Sequence, residues 1–207
     1  IVLASYTYSR TLGNYPGLFQ ASNGQLDPNI SSQYDLPELL VNRNGPLPND
    51  RPHNFKLTGA YYLPMGSAGG LTFGANFSAI SGRPIEVLGR HPLYGPNETF
   101  VLPRGAGGRT PTVTQLDLRV AYSKQFGKLI RAELSVDVFN VINQQAVTSV
   151  DDQYTIDRVM PIQNGSYDDL KNLKTTSGTQ PRLNPNYGQA TAYQAPLSMR
   201  IGARISF

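Results

Sequence analysis

Histidines, aspartates and serines are the side chains here whose types suit catalysis or metal binding, and their spacing argues against most of that chemistry. His53 and His91 are the two histidines. Neither has a carboxylate at metal-ligand spacing, so contacts at a strand mouth and in a loop are their expected roles. A serine hydrolase needs one serine singled out, for instance by a Gly-x-Ser-x-Gly elbow, and no such elbow occurs. Gly105-Ala106-Gly107-Gly108 lacks the Lys-Ser/Thr of a phosphate loop and reads as a flexible turn. Asp151, Asp152, Asp157, Asp168 and Asp169 make the stretch 151–169 acidic. Carboxylate oxygens suit calcium, but the spacing is not that of an EF-hand, and solvated loop charge is the plainer expectation. Asn29, Asn97 and Asn164 open N-x-Ser/Thr triplets that matter only in a eukaryotic secreted protein. The expectation is therefore no enzyme, no metal and no cofactor. Residues left as candidates for touching a ligand are polar or aromatic side chains in loops or on a water-facing wall: Arg83, Arg90, Tyr94, Arg109 and Tyr187.

The elements that would position them show best in the last eleven residues. From Leu197 to Phe207 the odd positions are Leu, Met, Ile, Ala, Ile and Phe, and the even ones Ser, Arg, Gly, Arg and Ser. A period of two is a β-strand with one apolar and one polar face. Eleven residues is about what a tilted strand needs to cross a bilayer. Five further stretches alternate in the same way: the opening strand from Leu3, then 53–63, 71–79, 115–122 and 130–139. Their polar faces carry Lys56, Asp117, Arg119, Arg131, Glu133 and Asp137, too much charge for a dry core.

Between these strands the connections run long, short, long, short, long. The long ones, 10–51, 81–112 and 143–194, have no period and are rich in Asn, Gly and Pro, apart from a possible helical turn at 34–40. An up-and-down meander puts every short turn on one rim and every long loop on the other, the asymmetry of outer-membrane barrels. Charge suggests a register for strands four and five: Arg119 opposite Glu133 and Leu118 opposite Leu134, because a slip by one residue pair would oppose Asp117 to Asp137 or Arg119 to Arg131. Aromatics Tyr6, Tyr8, Tyr61, Phe73, Phe77, Tyr122 and Phe207 suit interface girdles.

Composition sets the outer bounds. A net charge of +4 without a Lys/Arg run makes nucleic acid an unexpected partner. No run of 18 apolar residues exists for a membrane-spanning helix. Zero cysteines exclude disulfides and thiolate chemistry. The chain opens in mid-strand at Ile1, without a starting Met, and reads as the carboxyl-terminal piece of something longer.

Arg200-x-Gly202-x-x-Ile205-x-Phe207 resembles the carboxyl-terminal β-signal of bacterial outer-membrane barrels, which implies the barrel-assembly machinery as a partner. Four further segments resemble TonB-dependent outer-membrane receptors of the Oar-like group. They are 4–10 (ASYTYSR), 49–64 (NDRPHNFKL running into YYLP), 108–119 (GRTP before QLDLR) and 136–143 (VDVFNVIN). The resemblance implies a 22-stranded barrel, an amino-terminal plug and coupling to TonB through that plug, which this sequence lacks. Residues 1–207 would then be one carboxyl-terminal portion of a transmembrane β-barrel domain in the bacterial outer membrane. Its partners would be lipid, the remaining barrel strands or other copies of the chain, and its loops would capture an unidentified ligand. The wall would be held by an Arg119–Glu133 ion pair facing the lumen. Two rival readings are a structural fragment assembling through strand edges into an oligomer or filament, and a soluble all-β carbohydrate-binding module. The second rival requires Leu118, Leu134 and Ile201 in a dry interior, with Arg119 and Arg204 in bulk solvent.

Overall fold

A computed structural model of the chain describes residues 1–17, 33–127 and 129–207. Asn29 and Lys128 lie outside the described residues. Six strands form one sheet: β1 (Val2–Tyr8), β2 (His53–Pro64), β3 (Gly70–Ile80), β4 (Val113–Phe126), β5 (Ile130–Phe139) and β6 (Ser198–Ser206). They lie in chain order, each antiparallel to the next. β1 and β6 are the two outer strands and do not pair with each other, so the described sheet is open and no closed barrel is formed.

Register extends the two-residue period across all six strands. Tyr61, Phe73, Val120, Val136 and Ile201 are successive partners in one row, and further along the same face Phe77 is the partner of Leu57 and Phe55 that of Ala79. The face they share is continuous and apolar. It is also uncovered: Leu118 is 39%, Leu134 61% and Ile201 73% exposed. Burial of such side chains is worth about 1.5–3 kcal/mol each, so a face this large left open to water would be costly. Aromatics sit toward both of its ends, Tyr6, Tyr8, Phe55 and Phe77 near the long connections and Tyr61, Phe73 and Tyr122 near the short turns.

The pairing of β4 with β5 corrects the register expected from charge. Arg119 is opposite Asp137 and Leu118 opposite Val138, four positions from the expected partners. A slip of four keeps every side chain on its face, so alternation does not discriminate. The turn does. Phe126 pairs with Ile130, which fixes where the two strands turn back, and Gly127 takes φ +63, a left-handed conformation that glycine adopts without steric cost. In this register Arg119 faces Asp137 and Ser123 faces Glu133, so like charges are never directly opposed between these strands.

The second correction concerns the described residues of the long connections, 9–17 with 33–52, 81–112 and 140–197, which are folded rather than irregular. They build a cap at one end of the sheet, and the chain's buried apolar cluster is there: Val87, Val101, Leu102, Val159, Leu170 and Leu173. Short strands Leu88–His91, Gly95–Phe100 and Gln153–Arg158 make a three-stranded sheet inside it. Two-stranded ladders join Val147–Val150 to Ala190–Tyr193 and Leu12–Gly13 to Gly45–Pro46. A single-turn helix, α1 (Pro37–Leu40), buries Leu39. Gly105 to Gly108 is a turn, but a packed one: a Cβ on Gly107 would lie 2.8 Å from Ile85 Cγ2.

Candidate functional site

The cap and the polar wall beneath it are assembled from polar residues far apart in the chain. Asn42, at φ +65, donates its side-chain amide to the carbonyls of Phe100 (3.1 Å), Val101 (3.2 Å) and Ile162 (2.9 Å). Its carbonyl oxygen accepts the Asn164 N–H at 3.0 Å. One side chain thereby ties together all three long connections. Asp50, fully buried, accepts the Thr11 N–H at 2.6 Å and pairs with Arg109, with Arg10 at 3.7 Å. Burial works to raise its carboxyl, but the Thr11 amide and the Arg109 guanidinium outweigh it and hold the pKa below the usual carboxylate range.

Deeper in the cap the arginines themselves are buried. Arg43 donates to Glu98 Oε2 at 3.0 Å, and Arg104 Nε donates to the Arg43 carbonyl at 2.7 Å. Both guanidiniums lie over the Phe100 ring, at 5.0 and 4.5 Å from its centroid, a placement that offsets desolvation of a cation. Glu86 accepts the Gly105 N–H at 2.7 Å and stands 3.6 Å from Arg104. Burial pushes its carboxyl up to about 7, against the pull of Arg104. Arg83 reaches Asp152 at 2.9 Å, Ser149 Oγ at 3.1 Å and the Val150 carbonyl at 3.1 Å.

On the wall, Asp137 is shared by Arg119 (2.9 Å) and Arg200 (2.9 Å), and Arg119 also reaches Glu133 at 2.9 Å. β4, β5 and β6 are thus laced on the polar face by one acidic and basic chain. Gly202 is opposite Ser135, where a Cβ would lie 3.0 Å from Ser135 Oγ. Ile205 pairs with Ala132 on the apolar face, and Phe207 is fully exposed past the end of β6.

Of the five residues singled out for ligand contact, Arg83 and Arg109 spend their donors inside the cap: Arg109 donates to the Asp50 and Gly82 carbonyls at 3.0 and 3.1 Å. Tyr187 donates to the Glu86 carbonyl at 3.3 Å and stands edge-on to Tyr154. Tyr94, on the surface, donates to Asp35 at 2.9 Å. Arg90 alone lines a sizeable cleft, about 660 Å³. Arg158 and Arg182, which line it too, were not evident from the sequence; the hydroxyl-rich run Thr175-Thr176-Ser177 was the available signal, too short to interpret alone. Gly89 lets the cleft's strands meet, since a Cβ there would lie 2.4 Å from Val159 Cγ2. The acidic stretch is divided among separate partners: Asp152 with Arg83, Asp157 with Arg182 and Asp169 with the Ser166 N–H. His91 Nδ1 accepts the Leu93 and Tyr94 amides, and His53 Nδ1 meets the Tyr6 hydroxyl at 2.8 Å.

No protein-family profile and no solved structure matches the chain. Over 217 residues, covering 99% of the chain, it is 42% identical to the TonB-dependent transporter Oar of Myxococcus xanthus. The chain is Oar-like. It spans 20% of the length of that transporter. TonB-dependent transporters such as Oar are outer-membrane proteins, and the outer membrane is where this chain belongs.

Proposed function

We propose that the chain is a barrel segment of a TonB-dependent outer-membrane transporter. In this reading the apolar face of β1 to β6 meets lipid, the polar face with Arg119, Glu133, Asp137 and Arg200 lines a water-filled lumen, and the cap lies outside the cell. The cap captures a ligand, and TonB acts through a plug elsewhere in the full-length protein. This chain breaks no bond. Its outer strands are continued by the remaining strands of the same barrel, which removes the exposed edges. The sequence of Arg200, Gly202, Ile205 and Phe207 serves the barrel-assembly machinery.

The observation that carries the reading is the division of one sheet into a continuous uncovered apolar face and a face laced by ion pairs. A soluble carbohydrate-binding module would hide Leu118, Leu134 and Ile201 inside protein, and they are open. This chain has no cysteine, so once any cysteine elsewhere in the full-length protein is replaced, single cysteines test the topology directly. In the full-length protein on intact cells, Leu93→Cys in the cap should react with a membrane-impermeant maleimide. Leu129→Cys in the β4–β5 turn should react only after the outer membrane is permeabilised. Equal labelling of both on intact cells would overturn the orientation.

A further inference from the structure

The cleft of about 660 Å³ in the cap has a charge arrangement that its own residues leave incomplete. Its size is within the range of small-molecule sites. Arg90 and Arg158 are direct partners across the parallel ladder of Leu88–His91 with Gln153–Arg158, one strand spacing of about 4.8 Å apart at their backbones. Both are exposed and both line the cleft. Like charges set side by side on neighbouring strands repel. Neither arginine has an ion-pair partner among the described residues.

The one carboxylate of the lining is already engaged. Asp157 accepts the Arg182 backbone N–H at 2.7 Å, Nε at 3.1 Å and a terminal guanidinium nitrogen at 2.6 Å. Three arginines against one aspartate leave the lining two charges positive. The facing turn adds hydroxyls, with Thr175 Oγ1 joined to Ser177 Oγ at 2.9 Å and to Thr179 Oγ1 at 2.8 Å. Hydroxyl hydrogens rotate to suit an acceptor, and guanidinium forks match the paired oxygens of carboxylate and phosphate. The complement of such a lining is a group rich in acceptors and negatively charged.

We propose that this cleft binds an oxyanion of the captured ligand, a phosphate or a carboxylate, bridging Arg90 and Arg158. The proposal rests on the reading of the cap as the ligand-capturing side and gives that ligand a chemical class. Its test uses the full-length protein in detergent at low ionic strength, titrated calorimetrically with pyrophosphate, with citrate and with micelles containing lipid A. At least one probe should bind. R90Q/R158Q should weaken that binding at least tenfold, and R90K/R158K should weaken it less. The single variants R90Q and R158Q, each expected to cost at least threefold, are measured alongside, so the comparison does not depend on one double variant folding. Binding of pyrophosphate or citrate identifies a solute oxyanion; binding confined to lipid A identifies a glycolipid phosphate. No binding by any of the three, or equal binding by wild type and the Gln variants, overturns the proposal. Overturned with the cysteine-labelling pattern intact, it would leave the transporter reading standing.

Discussion

Val136→Arg is the substitution that most directly weighs lipid against water on the apolar face. Val136 lies in the middle of β5, opposite Val120 on β4 and Ile201 on β6, and is 39% exposed. If hydrocarbon covers this face, a guanidinium at mid-strand must leave water, at a cost of about 2–4 kcal/mol near the bilayer midplane. That corresponds to a loss of about 30- to 1,000-fold in the folding equilibrium. Asn76→Arg is the matched control on the other face of the sheet. Asn76 is exposed and sits between Thr58 and Asp117 in register. An arginine there faces the lumen and gains Asp117 across the strand, worth about 0–1 kcal/mol in its favour. Both variants are made in the full-length protein, refolded into lipid vesicles across a urea series, and scored by the mobility of unheated samples in SDS gels. Val136→Arg should move the midpoint to lower urea, with Asn76→Arg near wild type. The reasoning is refuted if the two costs are equal, or if Asn76→Arg is the more damaging.

Three further outcomes follow from the cap and the wall. Glu86, ordinarily near 4.5 and raised to about 7 in the folded cap, binds its proton more tightly folded than unfolded. Its contribution to cap stability is therefore whole below pH 4.5, declines as pH rises to about 7 and is flat above, a swing of about 3 kcal/mol. Limited proteolysis between pH 5 and 8 should show the cap loosening, and Glu86→Gln should flatten that response. Asp50→Asn leaves Arg109 without its buried counter-charge and should cost about 3 kcal/mol, read as earlier protease cleavage in 9–52. Asp137→Asn removes the carboxylate shared by Arg119 and Arg200. Because both arginines are partly screened by solvent, the cost should be smaller than that of Asp50→Asn, seen as a modestly lower urea midpoint with an unchanged folded band.

The six strands are legible in the sequence because each carries a two-residue period, apolar on one face and polar on the other. Arg200 and Arg204 alternate with Ile201 and Ile205 whatever the neighbouring strand does. Register is another matter. A slip by an even number preserves both faces, and an arginine is long enough to meet Glu133 while standing opposite Asp137. Charge therefore narrows the choice without making it; the close of the hairpin at Phe126 and Ile130, with Gly127 left-handed, makes it. The cap is less legible still. Its core joins Val87 and Val101 to Val159 and Leu170, residues from separate connections whose local stretches carry no period. Each ionic seam likewise unites side chains far apart in the chain, as Arg83 with Asp152 and Arg109 with Asp50 do. The same geometry explains why Arg90 could be named from sequence and Arg158 could not. Their strands run parallel, and parallel neighbours are joined by long crossovers rather than hairpins. No local pattern then records which arginine faces which. A paired positive charge of this kind becomes visible only once the backbone places both residues side by side, and that makes it a feature of the folded cap rather than of either loop.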